Sequence, residues 1–150
     1  MTKLLDRIPT PCIGVCSTAI SDEVCRGCKR FAHEVIAWNS YTETEKQAVE
    51  ARLDQLLSQI VGAKLTVFDV ALLRQQLEIQ RVRYRPNRSP LCWVFELLRA
   101  GAGQIQDTRL FGFEVHPGFR ALPLVELREM IDQEFFILSN AHYERYVRPL

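Results

Sequence analysis

The sequence predicts a mostly helical α+β chain in two parts, a four-cysteine knuckle with a helical hairpin at residues 1–62 and a small α+β domain at 63–150. Three observations predict it. Cys12, Cys16, Cys25 and Cys28 fall within seventeen residues. Apolar residues recur every three or four positions in 31–38, 49–60, 70–77 and 124–138, the period of a buried helix face. Leu110 to Val115 instead alternates on Phe111, Phe113 and Val115, the period of a strand. At 150 residues, 47% hydrophobic and 25% charged, the chain has the composition of a globular protein, which excludes disorder throughout and fibrous repeats.

Taken in order, the first helix follows Cys28 and carries Phe31, Val35 and Trp38, with Ile36 beside them, ending near Asn39-Ser40. Thr42-Glu-Thr-Glu45 is a capping box that opens a second helix with Val49, Leu53, Leu56, Leu57 and Ile60 on its stripe, and Gly62 closes it. The boundary between the parts falls at Val61-Gly-Ala-Lys64. Thr66-Val-Phe-Asp69 reads as another cap, before a third helix on Val70, Leu73 and Leu77. Arg81-Val-Arg-Tyr-Arg85 alternates like an edge strand and equally suits a fraying helix end before Pro86. Ser89-Pro90, an N-cap with proline at the first helical position, predicts a buried helix over Leu91 to Arg99, with a strand as the alternative. The strand at 110–115 ends in the turn His116-Pro-Gly118, and Pro123 starts a last helix on Leu124, Leu127, Ile131, Phe135 and Leu138.

The cysteines are spaced C-x3-C-x8-C-x2-C, two chelating pairs with a connector long enough to bring both to one centre. Four thiolates at one point suit tetrahedral zinc or a 4Fe-4S cluster, and the spacing does not choose between them. Two disulfides would suit a secreted chain, but Asp6 and Arg7 interrupt any secretory apolar run. A thiol redox pair at Cys25-Arg-Gly-Cys28 lacks the preceding strand of that context. Gly14 and Gly27 sit inside the two chelating loops, where a positive φ is often needed. Arg26, Lys29 and Arg30 supply cations that an anionic centre attracts, and His33, five residues beyond Cys28, is a candidate to replace a cysteine as ligand or to bond to a cluster sulfur, with a solvent-facing place on the helix as the bland alternative.

Pro11-Cys-Ile-Gly-Val-Cys16, Cys25-Arg-Gly-Cys28-Lys-Arg30 and Glu34-Val-Ile-Ala-Trp38 together resemble the domain-of-unknown-function 1289 family, small bacterial YdhL-like proteins described as predicted iron-sulfur proteins. The resemblance covers about residues 11–57. It implies a four-cysteine metal centre at Cys12, Cys16, Cys25 and Cys28, with the family's Arg, Glu and Trp matched by Arg30, Glu34 and Trp38, and it brings no activity.

Elsewhere the residues point to binding more than to chemistry. The net charge of +1 favours no partner class. Arg81, Arg83, Arg85 and Arg88 around Tyr84 offer phosphate contacts and a stacking ring, as an RNA or partner-protein contact would, and a solvated face is the bland alternative. His116 reads as a turn residue, His142 belongs to an aromatic tail with Tyr143 and Tyr146, and neither has a nucleophile near it in sequence. Cys92 reads as a small core residue. No apolar run is long enough for a membrane span, and no phosphate loop, metalloprotease helix or serine elbow is present. The expectation is a cytoplasmic metal-binding protein, not an enzyme of a familiar class, without an indicated small-molecule substrate. Its centre organises a protein- or RNA-binding surface, formed by Arg26, Lys29, Arg30 and the 81–88 stretch. The alternative is an iron-sulfur electron-transfer or sensor protein.

Overall fold

The computed structural model describes residues 10–13, 18 and 22–147. Among these residues five α-helices and two short strands follow one another: α1 (Ala32–Ala37), α2 (Glu43–Gly62), β1 (Leu65–Val67), α3 (Val70–Ile79), α4 (Pro90–Gly101), β2 (Phe113–Val115) and α5 (Leu124–Tyr146). The fold is mostly helical with a two-stranded antiparallel sheet, an α+β architecture. It divides into two compact units, one of residues up to Leu56 together with those from Phe135 onward, the other Leu57–Glu134. The unit boundary thus lies inside α2, a few residues before Val61, and the end of α5 is grouped with the cysteine-rich segment.

In the first unit the chain enters α1 from a hairpin whose Val24 and Phe31 are bridged antiparallel. The α1 helix is short, and Trp38–Ser40 continues it as a 3₁₀ turn. Phe31 and Trp38 are buried as their spacing requires, whereas Ile36 is 83% exposed. The capping box is formed: Glu45 N donates to Thr42 Oγ1 (3.2 Å) and Thr42 N donates to Glu45 Oε1 (3.0 Å). Val49, Leu53 and Leu56 are buried on α2, as is Phe135 on α5.

In the second unit the stripe continues through Leu57, Ile60 and Val61. Thr66 does not cap α3. It stands in β1, and Asp69 is the cap, its Oδ1 accepting from Leu72 N at 3.0 Å. Leu73 and Leu77 are fully buried, while Val70 remains exposed. The segment after α3 is neither strand nor fraying helix. Arg81 takes φ +56°, Arg81 N donates to Glu78 O and Val82 N to Leu77 O, which is a Schellman closure with arginine in the left-handed position. Ser89 Oγ accepts from Leu91 N at 3.2 Å, and α4 buries Cys92, Trp93, Val94, Phe95, Leu97 and Leu98, so the helix prevails over the strand.

The strand expected over Leu110 to Val115 is half as long. Thr108–Phe111 is a 3₁₀ turn, Gly112 reverses the chain at φ +82°, and only Phe113–Val115 pairs with β1, in the register Leu65 to Val115, Thr66 to Glu114 and Val67 to Phe113. A second 3₁₀ turn, Pro117–Phe119, replaces the simple turn after His116. The last helix runs on to Tyr146 and absorbs the aromatic tail.

Candidate metal centre

Glu23 to Ala32 folds as a hairpin around the second cysteine pair. Cys25 N donates to Arg30 O (2.9 Å), Lys29 N to Cys25 O (2.8 Å) and Ala32 N to Glu23 O (2.8 Å). The residue that turns left-handed is Lys29, at φ +66°, and not Gly27, so the reversal falls after the chelating loop instead of within it. A lysine there costs on the order of 1 kcal/mol of backbone strain, offset by the three closing hydrogen bonds.

Both sulfurs of this pair are enclosed, with Cys25 1% and Cys28 8% exposed. Arg30 Nε donates to Cys28 Sγ at 3.2 Å, and the same guanidinium lies 4.9 Å from the centre of the Trp38 ring. Lys29 is buried at 1% exposure, its Nζ donating to the carbonyl oxygens of Gly27 (3.1 Å) and Arg26, 5.4 Å from the Phe135 ring centre. Burial pushes the Cys28 thiol above its ordinary value; the Arg30 hydrogen bond and charge pull it partly back, and Cys25 adds to the rise.

The first pair is placed less fully. Cys12 is exposed, its N donating to Thr10 Oγ1 at 3.3 Å, and Cys16 lies outside the described residues. Among the described residues no three side chains of metal-ligating type come together. The donor chemistry at Cys25 and Cys28 nonetheless fits half of a thiolate site: two enclosed sulfurs on one tight turn, with the Arg30 guanidinium donating to that of Cys28. Of the other residues expected around the centre, Arg26 is exposed, pairing with Asp22 (3.2 Å) and lying 4.9 Å from the Phe136 ring centre. His33 is also exposed, its ring 5.8 Å from that of Phe31. Lys29 and Arg30, expected on a contact surface, are interior residues because the hairpin turns their side chains onto Phe135 and Trp38.

Beside the Cys25–Cys28 hairpin lies a pair that sequence reasoning missed. Glu34, buried on α1, receives both terminal nitrogens of Arg52 from α2, each at 2.6 Å, and its Oε1 also accepts from Phe31 N at 2.8 Å. The Arg52 guanidinium stands 3.9 Å from the Phe31 ring centre, and the rings of Tyr143 and His142 flank Phe31 at 5.2 and 6.2 Å. Desolvation and then the Arg52 charge hold the His142 imidazole below its ordinary value, with Glu34 opposing them.

Cys25, Cys28, Arg30, Glu34 and Arg52 lie within the segment matched by a family model described as a protein of unknown function, DUF1289, over residues 10–57. Residues 10–57 match the DUF1289 family. The DUF1289 segment is about a third of the chain and holds all four clustered cysteines, Arg30, Glu34, Trp38 and Arg52. No curated protein and no solved structure matches the chain.

The arginine-rich stretch belongs to the second unit. Arg81 and Arg83 are exposed; Arg85 and Arg88 are half-buried. Tyr84 is not a free stacking platform, since its ring packs on Trp93 (centroids 5.0 Å apart) and its hydroxyl donates to Glu78 at 3.1 Å. Trp93 in turn donates to Arg85 O at 2.8 Å and lies under Arg74. Among the described residues no helix is long and apolar enough to cross a membrane.

Proposed function

We propose that the DUF1289 segment binds one metal centre through Cys12, Cys16, Cys25 and Cys28, and that the centre acts structurally, holding a small cytoplasmic protein- or RNA-binding module in shape. One contact carries the reading, the Arg30 N–H donated to the enclosed Cys28 sulfur. Two buried cations beside two buried cysteines are costly if the sulfurs are neutral and complementary if they are thiolates on a metal. A unit of this size has a small core, and metal binding worth on the order of 10 kcal/mol would stabilise it. For contacts with a partner, Arg26, Arg81 and Arg83 are the exposed cations of the expected set. Arg85 and Arg88 contribute in part, and Lys29 and Arg30 serve the interior.

The same contact favours a second reading, an iron-sulfur redox or sensor protein, because hydrogen bonds to cluster sulfurs tune the reduction potential. Anaerobic purification with elemental analysis separates the two. The structural reading expects a colourless protein with one zinc per chain, and Cys25→Ser that loses both metal and helicity. A brown protein with four irons would favour the redox reading. A metal-free chain whose melting temperature is the same with chelator, and the same again in Cys25→Ser, would overturn both.

A further inference from the structure

The solvent face of the β1–β2 sheet carries a set of polar side chains that the metal centre does not use. Thr66 and Glu114 are directly opposed across the sheet, so their side chains leave the same face, while Leu65, Phe113 and Val115 are buried on the other. His116, just past β2, is fixed by its backbone N–H, which donates to Lys64 O at 2.8 Å. Its ring Nδ1 lies 3.2 Å from Ala63 O and its Nε2 lies 2.8 Å from Thr66 Oγ1.

A backbone carbonyl only accepts hydrogen bonds. In the neutral ring the proton therefore sits on Nδ1, Nε2 is the bare acceptor, and the Thr66 hydroxyl is the donor. An exposed hydroxyl thus aims its proton at a base that a third group holds in the correct tautomer, which is the geometry of an activated nucleophile. Two cations gather beside it. Arg120 donates through Nε to Val115 O (3.1 Å) and through a terminal nitrogen to Glu114 Oε1 (3.0 Å), and Arg109 lies 3.9 Å from that same oxygen. Two guanidiniums thus share the Glu114 carboxylate on this face, with the Asp107 carboxylate accepting from Arg109 N at 3.0 Å.

We propose that Thr66 is a nucleophile and His116 its general base, in acyl transfer from carboxylic esters whose acyl group carries a negative charge. Thr66 Oγ1 bonds to the ester carbonyl carbon as its proton passes to His116 Nε2. The carbon–oxygen bond to the leaving alcohol then breaks, and the alcohol takes that proton. Water, giving its proton to the same imidazole, attacks the threonyl ester; the bond to Thr66 Oγ1 breaks, that oxygen takes the proton back from His116, and the carboxylic acid leaves, so the sum is ester plus water to acid plus alcohol. Arg120 and Arg109 position the anionic acyl group. Sequence reading could not reach this set because fifty residues separate Thr66 from His116, and only the long-range pairing of β1 with β2 brings them together.

The test incubates the full chain with the mono-4-nitrophenyl ester of terephthalate, whose carboxylate cannot reach its own ester carbonyl, and with neutral 4-nitrophenyl benzoate, following nitrophenolate release and mapping the acyl adduct by mass spectrometry. The expected adduct is on Thr66. Thr66→Val, which keeps the branched shape suited to a strand, abolishes it, and Thr66→Ser retains it. His116→Gln slows acylation about a hundredfold or more. Arg120→Gln slows the terephthalate ester about tenfold while changing the benzoate ester little. An adduct on lysine only, no rate above buffer, or equal rates in wild type and His116→Gln would each overturn the assignment. If Thr66→Val does not fold, the mapped adduct and the His116→Gln rate still decide it.

Discussion

Glu34 is the residue on which the first unit turns, because its carboxylate is buried and answered by three hydrogen bonds, two from Arg52 and one from Phe31 N. A buried bidentate pair adds little net stability over apolar residues of the same shape, since desolvation opposes the Coulomb gain, but breaking one half leaves a charge with no counterpart. Arg52→Met is therefore expected to lower the unfolding free energy by about 3 kcal/mol, and Glu34→Leu combined with Arg52→Met to recover most of that loss. Urea denaturation checks both, and a double variant no better than the single one would contradict the argument. At this scale the sequence shows which residues belong to the motif but not what they touch. Arg30, Glu34 and Trp38 stand out as a spelled pattern, whereas Arg52, eighteen residues from Glu34, has no sequence signal apart from being a charge beside the buried Leu53.

At the scale of elements, legibility follows locality. Thr42 with Glu45, and Ser89 with Pro90, are read correctly because every partner in those caps lies within three residues. Three other elements escape for physical reasons. Arg81 occupies a left-handed position usually given to glycine, so the end of α3 resembles a strand in alternation. Thr66 has the residue type of a cap but is taken by the sheet, because pairing with Glu114 decides its conformation. The alternation of Phe111 with Phe113 spans a 3₁₀ turn and a strand, joined by Gly112. That glycine is the hinge of the arrangement. At φ +82° a β-carbon would sit 2.4 Å from Asp69 O, the backbone of the very residue that caps α3, and Gly112 O accepts from both Phe68 N and Asp69 N. Gly112→Ala is expected to cost more than about 2 kcal/mol, from left-handed strain together with a backbone clash. A thermal melt within a degree or two of wild type would show that the turn can move aside.

Across the whole molecule, the two compact units each hold one of the chain's two tryptophans, Trp38 in the first and Trp93 in the second, both buried. That the first unit draws on residues from Phe135 onward could not be read from the sequence, since nothing local in α5 marks a change of unit at Glu134. The division gives the metal proposal a consequence for stability. Trp38 lies against Arg30, which donates to Cys28, so its surroundings depend on the knuckle, whereas Trp93 is held by Tyr84, Arg74 and Arg85 O in the other unit. In Trp93→Phe protein the remaining fluorescence reports the first unit, and in Trp38→Phe protein it reports the second. Removing the metal with a chelator is expected to lower the Trp38 midpoint by at least about 5 °C, since a loss of 1 kcal/mol already moves a unit of this size by roughly 4–8 °C, and to move the Trp93 midpoint less. The difference between the midpoints matters more than either value, because α2 and α5 each run through both units and can pass part of the loss along. A Trp38 midpoint indifferent to chelator would mean that the knuckle stands on its hydrogen bonds and buried cations alone.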